Sequence, residues 1–365
     1  MPHPYSDLAA ERFWRTGVAD LDPLAISKLW IPKFRIRPRS KIVTAGSCFA
    51  QHFSRALVAR GYGWQDFEPG PIGLDPDVAK TFNYGVFSFR TGNIYTPKML
   101  RQWLSWAFGD LSEPDEIWQD GARFFDPYRP AIEPNGFASA DEVFASRAET
   151  LAAIRAAVRQ SHVFVFTMGL TESWANAHTG VEYAVCPGTI AGHFDAAQDV
   201  FVNHRYAGLL ADLQAAVAIL RRENPQISVL LTVSPVPLTA TASEAHVLLA
   251  TSHSKSLLRA VASEASDWGD YIDYFPSYEI ITSPAYRGMF FAPNLRSVLP
   301  QGVDHVMDRF FRDQAARFAR DAGDVSTPAA PAPAAEHDEP DEAAELACEE
   351  AILHAFAPQN AGPAK

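Results

Sequence analysis

The stretch that decides the fold is Lys41-Ile-Val-Thr-Ala-Gly-Ser-Cys-Phe49. A short β-branched run ends at Gly46, and a helical pattern follows at once, with apolar residues at four-residue spacing as far as Leu57. The run therefore predicts a strand, a tight turn and a helix. Ser47 would lie at the positive N-terminal end of that helix, where backbone N–H groups stabilise an oxyanion. Ser47 is thus a candidate nucleophile, and the alternative is that it only caps the helix.

Strand and helix patterns alternate along the chain, which favours a mostly parallel sheet with helices on both faces. The predicted strands are 41–45, 162–168, 227–233 and 271–275, with another near 62–67. The predicted helices are 48–60, 97–108, 143–159, 204–222, 243–266 and 301–320. In such sheets the ligand crevice lies beyond the carboxyl ends of the strands. Ser47, Gly169 to Glu172 and Ser234 to Pro237 would meet there.

The composition is that of one sizeable α/β domain, which we assign to residues 1–324. The chain has 365 residues, 47% of them hydrophobic, and no internal linker divides this part. No apolar run reaches transmembrane length, and the first residues lack the pattern of a signal peptide. The three cysteines have no metal-ligand spacing and suit a reducing compartment. We therefore expect a cytoplasmic protein without a membrane span, a metal or a cofactor.

The formal charge of −12 is concentrated in the C-terminal tail. Residues 325–365 contain eight acidic residues and one lysine, which gives −7 and leaves −5 for residues 1–324. Without a basic stripe, a nucleic acid is not an expected partner. The Pro/Ala-rich start of the tail predicts a largely disordered linker. Apolar spacing within 341–356 predicts a short helix that would bind a protein partner or the domain itself, unless the whole tail is unstructured.

Residues 68–140 form a long segment between the first two clear strands, and it is rich in proline, glycine and aromatic residues. As a lid, its aromatic faces would receive a sugar or an acyl chain. As a packed excursion, the same rings would bury one another. The aromatic residues in question are Trp103, Trp106, Trp118, Tyr128 and Phe137.

The string Gly-Ser-Cys-Phe-Ala at 46–50 resembles the signature that names the GSCFA-domain family. Other segments follow in the family's order and extend the resemblance over about residues 30–320. They are Asn83-Tyr-Gly85, Thr167-Met-Gly-Leu-Thr-Glu172, Thr232-Val-Ser-Pro-Val236, Ser254-Lys255 and Tyr274-Phe-Pro-Ser-Tyr-Glu279. GSCFA proteins look like relatives of the SGNH/GDSL hydrolases, which are three-layer α/β enzymes. The resemblance implies a flavodoxin-like, SGNH hydrolase-like fold and a serine esterase or acyltransferase acting on a carbohydrate or other polar acyl ester.

The resemblance also implies roles for individual residues. Ser47 matches the nucleophile, and its own N–H would be the first oxyanion donor. Asn83 and Gly85 resemble the glycine block that supplies a second donor. Many SGNH enzymes carry an asparagine after a strand-ending glycine as the third donor. Here Thr171 follows Gly169 in that place and offers only a hydroxyl.

The general base is the main departure from those hydrolases. Relatives carry Asp-x-x-His-Pro before the last helix, where this chain reads Arg296-Ser-Val-Leu-Pro300. A serine hydroxyl needs a base within hydrogen-bond reach. We expect His246 to act as this base, and the alternative is that it is a satisfied surface or core histidine. Glu172 would either orient the base or serve as a structural acceptor. The alternative histidines are His178, His193, His253 and His305.

Two competing interpretations follow from the same residues. Cys48 is a rival nucleophile, but on a helix its side chain points about 100° away from that of Ser47, and we expect a buried, inert thiol.

The missing base also allows a function of another class. In that case the protein is a catalytically degenerate relative that binds a glycan or acyl ligand and uses its acidic tail to bind a partner.

Overall fold

The computed structural model describes residues 3–319 and 349–357. Its centre is a four-stranded parallel sheet in the order β1-β4-β8-β9. These strands are β1 (Ile42–Gly46), β4 (Val163–Met168), β8 (Ser228–Val233) and β9 (Ile272–Tyr274). Each lies within about a residue of its predicted position at either end, and the predicted α/β fold is confirmed.

Helices cover both faces of this sheet, which makes three layers. Side chains alternate along β4, so that Phe164 and Phe166 pack in one core while Val163 and Val165 pack in the other. The first core is covered by α3 (Pro97–Phe108), α4 (Ala140–Gln160), α5 (Tyr206–Glu223) and α6 (Val247–Ser266). The second is covered by α1 (Phe49–Ala59), α7 (Ser277–Thr282) and α8 (Pro300–Phe318). None of the helices in the described residues is long and apolar enough to cross a membrane.

A short extended segment adds to the outer edge of β1. Trp64 forms an isolated parallel bridge with Ile42, whose N–H donates to the Gly63 carbonyl at 3.0 Å. The strand predicted near 62–67 is reduced to this bridge. Trp64 and β4 therefore lie on opposite sides of β1. The chain first adds to one side of β1 and later to the other. In flavodoxin-like sheets the ligand crevice lies where the strand order reverses in this way, at the carboxyl ends of the two central strands.

Two smaller sheets were not predicted from the sequence. A three-stranded antiparallel sheet has the order β6-β5-β7 and follows directly from the carboxyl end of β4. Its strands are β5 (Glu172–Asn176), β6 (Glu182–Tyr183) and β7 (Asp199–Asn203), and a separate hairpin joins β2 (Trp118–Asp120) to β3 (Arg123–Phe125). These strands have two to five residues and no clear apolar alternation.

The excursion 68–140 is packed into the first core. It contains α2 (Pro76–Thr81), α3, β2 and β3. Its largest rings are buried and touch one another, with Trp106 lying 5.2 Å from Trp103 and 5.0 Å from Tyr128 between ring centroids. Such contacts stabilise the segment as part of the domain. These rings therefore do not form an open platform for a sugar.

A fully buried ion cluster fastens the excursion to α4. The two carboxylate oxygens of Asp126 accept hydrogen bonds from Arg129 Nε and Arg147 Nη2, both at 2.9 Å, and all three side chains have no solvent exposure. Burial alone would raise the pKa of Asp126. The guanidinium groups of Arg147 and then Arg129 outweigh burial and hold that pKa below its ordinary value.

The C-terminal tail is described only in part. Residues 325–348 and 358–365 of the predicted tail lie outside the described residues, so the predicted linker is not represented. The last described segment is a 3₁₀-helix, Glu349–Phe356. It lies within 341–356, the range for which a short helix was predicted.

Candidate functional site

The turn after β1 is fixed by a close approach of two strands. Gly46 has φ of 138°, and a Cβ atom there would lie 2.3 Å from the Thr167 carbonyl oxygen, so only glycine fits. The Ser47 N–H donates to the same oxygen at 3.0 Å. The end of β1 is therefore fastened to the end of β4. This places Ser47 immediately before α1, as predicted.

The hydroxyl of Ser47 is buried and has no hydrogen-bond partner among the described residues. An unsatisfied buried hydroxyl destabilises a protein by about 1–3 kcal/mol. The hydroxyl of Thr167, at the end of β4, is likewise buried without a hydrogen-bond partner among the described residues. A hydroxyl kept unbonded at the carboxyl edge of the sheet is suited to react with, or bind, a ligand that enters later.

Three segments meet around this hydroxyl. A Cβ atom on Gly169 would lie 3.1 Å from the Cβ of Ser47 and 2.8 Å from the ring of Tyr95, so the glycine admits both neighbours. The Gly169 N–H donates to the Tyr95 carbonyl at 2.9 Å, and the Ile94 N–H donates to the Gly46 carbonyl at 2.8 Å. The segment preceding α3 thus inserts between the ends of β1 and β4. This contribution was not predicted from the sequence.

Thr171 is held by residues from α6 and β7. Its N–H donates to Ser254 Oγ at 2.9 Å, and its hydroxyl donates to Asn203 Oδ1 at 2.9 Å. The neighbouring Lys255, also buried, donates through Nζ to the Gly169 carbonyl. The Ser254-Lys255 pair therefore fixes the Gly169–Thr171 turn from behind.

The predicted oxyanion donors are only partly assembled. The structure brings Ser47 next to Gly169, in whose turn Thr171 also lies, but the N–H of Ser47 and the hydroxyl of Thr171 already donate to protein acceptors. Asn83 and Gly85 lie in the excursion, where Asn83 Nδ2 donates to the Ala131 carbonyl at 3.1 Å and Gly85 is exposed. In this state the donors are not directed at one point.

The predicted base, His246, is an exposed residue at the N-cap of α6. Its Nδ1 accepts a hydrogen bond from the Leu248 N–H at 3.2 Å, which satisfies one of the free donors of the helix. No histidine within residues 3–319 and 349–357 forms a hydrogen bond with the Ser47 hydroxyl. The structure therefore describes a state in which the serine has no base.

The alternative histidines lie elsewhere. His305 packs between aromatic rings in the second core, 5.1 Å from Phe290, and burial lowers its pKa. His253 lies 3.4 Å from Arg205, measured from Nε2 to Nη1. His178 and His193 are exposed loop residues.

A buried polar cluster beside the site was missed from the sequence. Ser173 Oγ donates to Glu182 Oε1 at 2.9 Å, and His204 Nε2 contacts that same carboxylate oxygen and lies 3.2 Å from Ser173 Oγ. Thr96 donates to the other oxygen of Glu182 at 2.7 Å. Burial would raise the pKa of Glu182, but the bond with His204 outweighs it, and the net shift is downward. One ring nitrogen contacts both partners, whereas a catalytic triad uses two, so this cluster is structural.

A cavity of about 490 Å³ lies against this cluster. Tyr95, Leu170 and Ser173 form part of its wall, and Glu172 lies at its polar side, where it accepts a hydrogen bond from Thr241 at 2.8 Å. Burial raises the pKa of the Glu172 carboxyl. Among the described residues Ser47 does not line the cavity, because Tyr95 and Gly169 lie between.

Neither cysteine chemistry nor a metal site emerges from the described part of the chain. Cys48 and Cys186 are half-buried and form no disulfide within the described residues, and burial raises the pKa of Cys186 to about 11, which keeps its thiol protonated at neutral pH. No group of three or more His, Cys, Asp or Glu side chains in that part could hold a metal ion.

Comparison with known proteins gives one finding. A model of the GSCFA family matches residues 41–310, which is well over half of the chain. No curated protein and no solved structure shows significant similarity to it. The matched range includes the central sheet, the Gly46-Ser47 turn and the Gly169–Thr171 turn. The chain therefore belongs to the GSCFA family.

Proposed function

We propose that this protein is a serine esterase or acyltransferase that acts on acyl esters with a polar alcohol part, such as a carbohydrate. The observation that carries the proposal is the buried, unpartnered Ser47 hydroxyl at the reversal of the strand order. A structural serine at this point would cap α1 or bond to a neighbour. The resemblance of GSCFA proteins to SGNH hydrolases supports the same chemistry.

In the proposed reaction Ser47 Oγ attacks the carbonyl carbon of the ester while a base takes its proton. The bond to the alcohol then breaks, the alcohol leaves with a proton, and an acyl-serine remains. Water completes hydrolysis, or a second alcohol accepts the acyl group. We assign the base to His246, which requires the loop between β8 and α6 to move its imidazole towards Ser47. Glu172 would then orient that imidazole.

The oxyanion of this reaction would be bound by the N–H groups of Ser47 and Gly85 and by the hydroxyl of Thr171, with Asn83 and Gly169 shaping the turns. Because two of these donors have protein acceptors in the present state, the proposal requires substrate binding to release them. The described conformation is then a closed one.

Labelling with a fluorophosphonate tests the nucleophile without knowledge of the substrate. We expect a single adduct on the protein, located at Ser47 by mass spectrometry of the peptides. Heat-unfolded protein is the control, because an adduct that needs the folded site must be absent from it. An adduct at any other serine would contradict the assignment.

Two replacements of His246 separate its roles as base and as helix cap. Both His246→Ala and His246→Asn should slow labelling of Ser47 by at least about 100-fold, since a general base contributes about 10²–10⁴ in rate. Only His246→Ala should also lose stability, by about 1 kcal/mol, because asparagine still caps the helix. If His253→Ala abolishes labelling while His246→Asn labels normally, the base is His253 and Ser47 remains the nucleophile.

A second function is favoured by the occupied donors and by the absence of a base on Ser47 in the described residues. The protein would then bind a glycan or an acyl ligand without reacting with it. The two functions predict different results. A ligand that raises the melting temperature of a protein that neither labels nor hydrolyses a short-chain aryl ester supports binding alone, since any ligand of the folded state stabilises it.

The remaining proposals concern location and partners. The cytoplasm is the proposed location, because the three cysteines are an odd number without metal-ligand spacing, which suits a reducing compartment. A protein partner for the acidic tail is proposed from its charge.

A further inference from the structure

The cavity of about 490 Å³ has an outer wall made by the C-terminal segment. Ile352, Leu353 and Phe356 lie on it, together with His354 and Ala357. The rest of the wall comes from the start of α3 and the loop before it, from the turn after β4, from the β6-β5-β7 sheet with the loop after β6, and from the loop after β8. Its apolar members there include Tyr95, Met99, Leu170, Trp174, Val185, Phe201 and Leu238.

The size and lining of the cavity limit what it can hold. Pockets for small ligands measure about 300–1,000 Å³ and are mostly apolar, with a few polar groups that fix orientation. A dry cavity of about 150 Å³ accepts a benzene ring, so this one has room for up to about twenty non-hydrogen atoms at that density. The polar lining groups are fewer than the apolar ones, and they include the carboxyl of Glu172, which accepts from Thr241, and the hydroxyl of Ser173, which donates to Glu182. An apolar chain with a small polar head matches this division.

The acidic groups at the cavity determine which kind of polar head group can bind there. Glu172 is an acidic group, and an ionised carboxylate ligand beside it would be repelled. The Glu182 carboxylate lies behind Ser173 and adds to this effect, although His204 offsets part of it. A neutral hydroxyl or ester head avoids the repulsion and can still exchange hydrogen bonds with Glu172 and Thr241.

We propose that this cavity binds a medium-length apolar chain with a neutral hydrogen-bonding head, and that residues 352–357 form its removable outer wall. As the site for the acyl chain of an ester substrate, it rests on the proposed function. The binding site itself does not depend on the proposed function, because Ser47 is not part of the lining of the cavity. For transfer to Ser47, the ring of Tyr95 would have to move aside.

Calorimetric titration of the full chain with 1-octanol and with sodium octanoate at pH 7.5 tests the ligand class. We expect saturable binding of 1-octanol and at least about tenfold weaker binding of octanoate, which corresponds to about 1.4 kcal/mol. In Glu172→Gln the preference for 1-octanol should shrink. Equal affinities in the unmodified protein would overturn the neutral-head assignment.

A matched pair of substitutions tests the place of binding. Ala240 lines the cavity, while Ala245 is an exposed residue of the same loop and does not. Ala240→Trp should weaken 1-octanol binding at least about tenfold by filling the space, and Ala245→Trp should leave it within about twofold. Ala242→Trp, at a second lining position, serves if Ala240→Trp does not fold. Unchanged 1-octanol binding in a folded Ala240→Trp or Ala242→Trp protein would show that the ligand does not bind in this cavity.

A second pair tests the outer wall. Leu353 lines the cavity, and Ala355 is an exposed residue of the same segment that does not. Leu353→Asp should weaken 1-octanol binding at least about tenfold, and Ala355→Asp should not. Unchanged binding in Leu353→Asp would overturn the assignment of residues 352–357 as the outer wall. Ser47→Ala should bind 1-octanol normally even when it no longer labels, so failure of catalysis and failure of this site give different results.

Discussion

Asp126→Asn is expected to lower the free energy of unfolding by about 3–5 kcal/mol, because it leaves two fully buried guanidinium groups without a counter-charge. The neutral amide accepts at one oxygen only, so it replaces neither the charge nor both hydrogen bonds. The cluster fastens the excursion 68–140 to α4. Urea unfolding monitored by tryptophan fluorescence measures the loss.

The same carboxylate predicts how stability depends on pH. The pKa of Asp126 is lower in the folded chain than its ordinary value of 3.8. Its contribution is therefore fully present well above pH 3.8 and is lost as the pH falls through the folded-state pKa. Asp126→Asn should lack this part of the acid destabilisation.

Asp120→Asn is the matched control for this prediction. Asp120 is an exposed residue of β2 in the same excursion, and its replacement should change stability by no more than about 0.5 kcal/mol. A loss below about 1 kcal/mol in Asp126→Asn would show that the cluster is not what fastens the excursion.

Ser47→Ala is expected to reduce turnover of a short-chain aryl ester by at least about 10³-fold and to abolish fluorophosphonate labelling, because the attacking oxygen is removed. The same change should raise the free energy of unfolding by about 1 kcal/mol, since it deletes a buried hydroxyl that has no partner among the described residues. Loss of function with gain of stability is typical of a residue kept for its chemistry. Esterase assays and urea unfolding of the same samples measure both effects.

Ser88→Ala provides the contrast. Ser88 is also fully buried beside β1, but its Oγ accepts a hydrogen bond from the Thr44 N–H at 3.0 Å. Its removal leaves the Thr44 N–H without an acceptor and should lower the free energy of unfolding by about 1–3 kcal/mol, while labelling of Ser47 continues. If Ser47→Ala instead loses stability as Ser88→Ala does, then the hydroxyl has a structural role in solution.

The central sheet could be predicted because its strands are buried on both faces. Such strands are continuous apolar runs between turn residues, as Val163–Met168 shows, and a single sequence displays them plainly. The three-stranded sheet gave no comparable signal. In β5 and β6, Ser173 and Glu182 are buried because they bond to each other and to His204, and Glu182 also accepts from Thr96, which is 86 residues away in the sequence.

The site was predictable to a similar extent. A glycine and a serine between a strand and a helix predicted the position of Ser47, since local geometry alone sets it. The partner of its hydroxyl depends on loops, and no pattern in the sequence fixes where the imidazole of His246 points. The insertion of Tyr95 beside Gly169 was equally hidden, because it follows from the packing of an excursion rather than from the strands.

The turn at Gly46 also bears on how related genes should be interpreted. Gly46 is required by the short distance to Thr167, and Phe49 packs in the second core, so the first and fourth residues of the Gly-Ser-Cys-Phe-Ala signature have structural roles. Of these three positions, only Ser47 is expected to be dispensable for folding, because its hydroxyl has no partner among the described residues. A descendant that had exchanged it for alanine would keep its shape and most of its signature while losing any reaction that depends on the hydroxyl. Under the proposed function, membership of the family and possession of the chemistry are therefore separate questions in a genome survey, and the residue at position 47 distinguishes them.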